Sequence, residues 1–159
     1  MLDGVIKKCT TGLTNDFGTL ELSKEKENYT YNSNNRLSAI TTDSTVYTFT
    51  YDAFGNTSEI KAGDKELAQY VYNNYNGKLE KIIYGNGFVE SYEYNALDLL
   101  SEIWYTEGNN PAYKAISYEY TSDGKIYKIV NHISGKTTLY AYMPSGKLSS
   151  VTEYDNDEL

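Results

Sequence analysis

The 159-residue sequence is poor in several things that most folds or activities need. Cysteine occurs once, at Cys9, so no disulfide can form within the chain, and no CxxC or Cys/His cluster is available for a metal. Histidine occurs once, at His132 in VNHISGK, beside a turn and away from any recognisable nucleophile motif. Lys and Arg number 14 against 22 Asp and Glu, a formal charge of −8, and nowhere do they cluster, which argues against nucleic acid or an anionic membrane surface as partner. No run of about 18 apolar residues exists to span a membrane, and MLDGVIKKCTTG lacks the apolar stretch of a signal peptide. Either the chain is cytosolic as written or, as is expected here, it is a segment of a longer chain, secreted or held at the cell surface, whose export signal lies elsewhere. Long Ala, Leu, Glu and Lys stretches are missing too, which removes the helical classes.

What is abundant is tyrosine, 18 residues, with 12 glycines and many Asn, Ser and Thr. Tyrosine suits a half-buried pleated sheet, and Gly, Asn and Ser suit tight turns, so the composition points to an all-β fold.

The tyrosines recur within one pattern: aromatic, any, Tyr, Asn or Asp, two residues, Gly, any, Leu or Ile, two residues, Ile or Val. Six copies read YTYNSNNRLSAI from Tyr29, FTYDAFGNTSEI from Phe49, YVYNNYNGKLEKI from Tyr70, YEYNALDLLSEI from Tyr92, YEYTSDGKIYKI from Tyr118 and YAYMPSGKLSSV from Tyr140. The third carries an extra turn residue, and TNDFGTLEL (14–22) is a degenerate seventh. The second tyrosines are separated by 20, 21, 22, 26 and 22 residues, about two short strands and two turns. Expected units are about 12–28, then 29–48, 49–69, 70–91, 92–117, 118–139 and 140–154, forming a single array over 1–159.

Within each copy, Y-x-Y places both rings on one sheet face, and Tyr47, Phe49 and Tyr51 extend this to three. The DxxG segment predicts a type I turn. Asn35 and Asp98 replace the glycine in two copies, and these residue types tolerate positive φ; Pro144 occupies the second turn position, where its φ already fits. Further turns are predicted at Asp43 and Ser44, Gly63 and Asp64, Gly85 to Gly87, Gly108 to Pro111, and Ser134 with Gly135. An antiparallel meander results. Leu37 and Ile40 are three apart and cannot share a face of a regular strand, which implies a bulge or use of both faces.

The unit closely resembles the YD or Rhs repeat over roughly residues 14–151, best in FTYDAFGNTSEI. That family includes bacterial Rhs proteins, wall-associated proteins of Gram-positive bacteria, shell subunits of insecticidal toxin complexes, and teneurins. The resemblance implies a β-hairpin ribbon wound into a hollow shell, which in the toxins encloses a cleaved toxic polypeptide. The family's Gly-Arg-Leu is here Asn35-Arg36-Leu37 or Gly-Lys-Leu, and the motif of the self-cleaving end is absent. The expectation is thus a curved open sheet, a fragment of such a shell, with neighbouring repeats of the parent chain as its partners and its edge strands open to self-association. It acts as scaffold, without cofactor, metal or catalytic residue.

A second function class competes: a carbohydrate or cell-wall glycan binding module presenting aromatic rings. Its candidate contacts lie in WYTEGNNPAYK, the longest connection, as Trp104, Tyr105 and Tyr113 with Asn109 and Asn110 as polar partners. An enzyme ranks third. The acidic pairs Asp64 and Glu66, or Glu90 and Glu93, are read as solvated charges before glycosidase carboxylates. SKEKEN (23–28) is expected to be a charged connection, and Asp155, Asp157 and Glu158 a frayed acidic end, not a calcium loop.

Overall fold

A computed structural model describes residues 27–155, and these hold strands and turns only. The degenerate copy at 14–22, Cys9 and most of SKEKEN lie outside the described residues. Twelve strands form one antiparallel sheet whose order follows the chain. They are β1 (Asn28–Tyr31), β2 (Leu37–Thr41), β3 (Val46–Tyr51), β4 (Thr57–Ala62), β5 (Lys65–Tyr72), β6 (Leu79–Tyr84), β7 (Phe88–Tyr94), β8 (Leu100–Glu107), β9 (Tyr113–Tyr120), β10 (Ile126–Asn131), β11 (Lys136–Tyr142) and β12 (Leu148–Asp155). The chain divides into two compact units at Gln69/Tyr70.

In the first unit, Asp52 shows how the repeat turn is built. Its backbone N–H donates to the Asn56 carbonyl and its carbonyl accepts from Gly55 N–H, leaving a three-residue loop with Gly55 at φ 94°. Its carboxylate accepts from the N–H groups of Phe54, Gly55 and Asn56 at 2.7–2.9 Å. The carboxyl loses some hydration, which opposes ionisation, but these donors and the Asn56 amide prevail and hold its pKa below the usual value. Asn32 does the same work in the first copy, where Asn35 takes the positive φ of 58°.

The strand after each turn is bulged. Tyr31 pairs with Leu37 but Thr30 with Ala39, so Ser38 is the extra residue; Tyr51 pairs with Thr57 but Thr50 with Glu59. The bulge settles the spacing of Leu37 and Ile40, because it turns both toward the face that carries Tyr29 and Tyr31. Two-residue loops at Asp43–Ser44 and Gly63–Asp64 return the chain as the turn residues predicted.

The second unit repeats the device. Tyr94 pairs with Leu100 and Tyr92 with Ile103; Tyr120 pairs with Ile126 and Tyr118 with Ile129; Tyr142 pairs with Leu148 and Tyr140 with Val151. Asp98 takes φ 64° in place of glycine. The extra residue of the third copy lengthens its turn, in which Gly77 N–H bonds the Asn73 carbonyl four residues back. Chain reversals fall at 85–87, 108–110 and 132–135.

Buried apolar side chains among the described residues are Ala68 in the first unit and Ile82, Ile103 and Ala115 in the second. Most tyrosines are half-buried, so their rings supply apolar cover while their hydroxyls stay within reach of polar partners.

Candidate functional site

Two features of the array could carry function: the repeated contacts at the turn ends of the hairpins, and the aromatic cluster where the chain was expected to form its longest connection.

At the turn ends, the second tyrosine of four copies donates to the carbonyl at the Leu position of the copy before it. Tyr51 donates its hydroxyl to the Leu37 carbonyl at 2.7 Å. Tyr94 donates to Leu79 at 2.9 Å, Tyr120 to Leu100 at 2.6 Å and Tyr142 to Ile126 at 2.6 Å. Burial raises the pKa of Tyr94 and Tyr120, so these phenols stay protonated and remain donors well into alkaline solution.

A cation often accompanies the bond. Arg36, one residue before Leu37, lies 5.6 Å from the Tyr51 ring centroid. Lys78 lies 4.6 Å from the Tyr94 ring and Lys125 5.6 Å from that of Tyr142. The Arg36 guanidinium lies against Gly55, where a Cβ would overlap it. Asp98, standing where other copies have glycine, instead receives Lys78 on its carboxylate at 2.8 Å. Neighbouring copies thus meet at their turns through a hydroxyl and a residue at positive φ, joined by a cation at Tyr51, Tyr94 and Tyr142. The sequence showed the tyrosine and the glycine of this contact, but not that both meet the preceding hairpin.

At the other candidate, the 26-residue step is absorbed mainly by strand and not by loop. Trp104 and Tyr105 belong to β8, and Tyr113 opens β9; only Gly108–Ala112 connects them. Trp104 and Tyr105 are adjacent on a strand, so they face opposite sides of the sheet. Trp104 is half-buried, donates its indole N–H to Glu102 at 2.9 Å, and has Lys114 at 5.1 Å from its ring. Lys114 in turn pairs with Glu102 at 2.5 Å.

On the other side, Tyr105 pairs with Tyr113, their centroids 6.1 Å apart and nearly perpendicular. Phe88 meets Tyr105 at 5.0 Å, and Tyr84 meets Phe88 at 5.8 Å, giving a file of four rings. Tyr113 is 39% exposed and donates to Glu107 at 3.0 Å. Glu90 lies opposite Tyr105 and accepts from Tyr84 at 3.1 Å. Burial, and then the Glu90 carboxylate, push the phenols of Tyr92 and Tyr105 up. Asn109 and Asn110 sit exposed in the turn. Of the five candidates, Tyr105, Tyr113, Asn109 and Asn110 thus share one neighbourhood, and Trp104 stands apart from Tyr105 and Tyr113. Nothing in single-sequence spacing announced the contribution of Phe88 and Tyr84, which comes from strand register.

The acidic pair Glu90 and Glu93 is also divided, the two lying three apart on the regular part of β7 and facing opposite sides. His132 Nε2 lies 3.1 Å from Ser117 Oγ, an exposed pair in solvent. Among the described residues, no group of three or more His, Cys, Asp or Glu is placed to hold a metal ion.

Comparison with known proteins bears on the repeat. Residues 29–66 match the RHS Repeat family model. The tRNA3(Ser)-specific nuclease WapA of Bacillus spizizenii is 26% identical over 145 residues, which is 82% of this chain and 6% of the nuclease. In the crystal structure of TcdB2-TccC3-Cdc42, a chain superposes with a TM-score of 0.66 at 17% identity, covering 81% of this chain and 7% of that one. The TcdB2-TccC3 structure gives 0.63 at 13% identity, covering 89% and 8%. The chain thus spans less than a tenth of each of these proteins. The resemblance to the YD or Rhs repeat family holds in sequence and in fold.

Proposed function

We propose, from an RHS repeat at residues 29–66 and the same hairpin unit continued to β12, that the chain is a non-catalytic structural segment of a secreted or cell-surface Rhs-type protein. It supplies wall to a shell or scaffold, with a toxin polypeptide as the cargo such a wall would enclose. The observation that carries this reading is the hydroxyl-to-carbonyl bond, made at Tyr51, Tyr94, Tyr120 and Tyr142. Its mechanism is mutual completion. A bulge leaves each hairpin with a carbonyl turned out of the ladder, and an unmet buried carbonyl is costly. Each hairpin is therefore satisfied by its neighbour, and the wall grows by nearest-neighbour contacts. Removing one hydroxyl, as in Tyr94→Phe, should lower the urea midpoint by the equivalent of about 1 kcal/mol. No change at Tyr94, Tyr120 and Tyr142 alike would defeat the reading.

The nuclease activity named for the Bacillus relative is that protein's, and this segment matches 6% of its length. Under the scaffold reading, the purified segment leaves serine tRNA intact; metal-dependent or metal-independent cleavage abolished by a substitution in the segment would overturn it.

The ring file supports a second reading, binding of a cell-wall glycan, because Tyr113 is open to solvent beside Tyr105 with Asn109 and Asn110 at its edge. Tyrosine rings stack on the apolar faces of pyranoses while amides bond their hydroxyls. Titration with cell-wall saccharides would change tyrosine emission in the wild type and not in Tyr113→Ala. Trp104 faces away from Tyr105 and Tyr113 and serves as the internal control.

A further inference from the structure

The file of four rings differs in charge from the other ring contacts of the array. Elsewhere the chain supplies a cation to its own rings: Arg36 to Tyr51, Lys78 to Tyr94, Lys114 to Trp104 and Lys125 to Tyr142. Among the described residues, no Lys or Arg stands over Tyr84, Phe88, Tyr105 or Tyr113, and the charged groups set among these rings are carboxylates. On β7 and β8 ring and acid alternate as on a checkerboard. Phe88 lies opposite Glu107 and Glu90 opposite Tyr105, all four on one face, and Tyr113 lies on the far side of Tyr105. Neither acid has an ion-pair partner among the described residues, whereas the half-buried Glu59 and Glu102 each hold a lysine. Glu90 is half-buried as well, and a phenol, that of Tyr84, meets it at 3.1 Å. Lys136, further along the same face, is already taken by Glu153 and Asp155.

Ring faces carry negative potential, and two uncompensated carboxylates deepen it. A cation from outside would therefore complete here what Arg36, Lys78, Lys114 and Lys125 complete elsewhere. We infer that this face binds the protonated amine of an amino sugar, in a glycan whose glucosamine units carry free amines and not acetamides. The apolar face of the sugar stacks on Tyr113, which is 39% exposed, with the Tyr105 ring nearly perpendicular behind it. Glu107 accepts the Tyr113 hydroxyl through Oε1, which leaves Oε2 for the ammonium. Asn109 and Asn110, exposed in the adjoining turn, meet the sugar hydroxyls. Glu90, less exposed than Glu107, holds the potential of the ring faces negative. An N-acetylated sugar reaches the same rings but leaves both carboxylates uncompensated.

This inference rests on the glycan reading and names its ligand class, and calorimetric titration of the whole chain separates the two. At low salt a glucosamine tetramer should bind about fivefold more tightly than an N-acetylglucosamine tetramer, the gain of one cation on a ring beside an exposed carboxylate. That advantage should shrink at roughly 0.5 M salt, where exposed charges are screened. Glu107→Gln should weaken the glucosamine tetramer about threefold and leave the N-acetylated one unchanged. Glu93→Gln makes the same change in net charge on the opposite face of β7 and should alter neither. Equal binding of the two tetramers would overturn the amine assignment while leaving the glycan reading standing; binding of neither would end both. Equal weakening by Glu107→Gln and Glu93→Gln would reduce the preference to the overall charge of −8 and overturn the site. Tetralysine bound as tightly as the glucosamine tetramer, and weakened alike by Glu107→Gln, would overturn the sugar in favour of a polypeptide.

Discussion

The two ends of the hairpins obey different rules. At the turn ends that follow each Y-x-Y, the same hydrogen bonds, positive φ and tyrosine-to-carbonyl contact return through most copies. At the connecting ends little is shared: two residues suffice at Asp43–Ser44, while β8 and β9 run eight residues each before they are joined. The difference teaches where the fold is specified. A backbone carbonyl that only the next hairpin can meet constrains sequence closely, whereas a reversal that meets its own hydrogen bonds tolerates many sequences.

The sharpest way to break that comparison is to empty one of its rings. Tyr94→Ala removes a half-buried ring, its hydrogen bond and the partner of Lys78, and should cost about 3 kcal/mol in urea denaturation. Tyr31→Ala, on an exposed ring, should cost less than half of that, and equal losses would contradict nearest-neighbour stability. Next in size is backbone strain: Gly124→Ala, at φ 81°, should cost about 1–2 kcal/mol, read from the thermal midpoint. Asn109→Ala, at the connecting end, should stay within about 0.5 kcal/mol.

Alkali probes both ends together. Burial raises the folded pKa of Tyr92, Tyr94, Tyr118 and Tyr120 above the ordinary 10.0, with Glu90 adding to Tyr92. A phenol whose folded pKa is raised contributes stability that is complete below pH 10 and lost as pH rises toward the folded value. Urea midpoints should therefore be flat from pH 7 to 9 and fall above 10, and less steeply in Tyr92→Phe. Acid acts on Asp52, whose folded pKa is depressed: its contribution is present above the ordinary carboxylate value and lost as pH falls below it. Asp52→Asn should blunt the acid side slightly and leave the alkaline side unchanged.

Sequence carried the fold a long way. Period, turn chemistry and the exceptions at Asn35, Asp98 and Pro144 were all legible, because each is written in neighbouring residues. The Leu37 and Ile40 spacing left a bulge or use of both faces open, and strand pairing resolves it as a bulge. What stayed hidden depends on register between strands. That Tyr51 serves Leu37, fourteen residues back, or that Phe88 joins Tyr105 and Tyr113, follows only once β2, β3 and their counterparts are aligned. For the same reason the proposed glycan contacts looked like one loop in sequence, when strand alternation separates Trp104 from Tyr105.

The bulge also has a consequence for how such an array can change over generations. Duplication or deletion of one whole unit leaves each remaining tyrosine facing a carbonyl in the same phase, so the bond pattern survives a change of length. A single residue gained between the second tyrosine and its Leu position is tolerated only inside the turn, as Asn73 to Gly77 shows, where the loop can enclose it. One gained inside the strand would swing the next carbonyl to the wrong face. A change of length by whole repeats would thereby keep the contact, while the connecting ends, which share little, can accept other lengths and surface chemistry such as that around Tyr113.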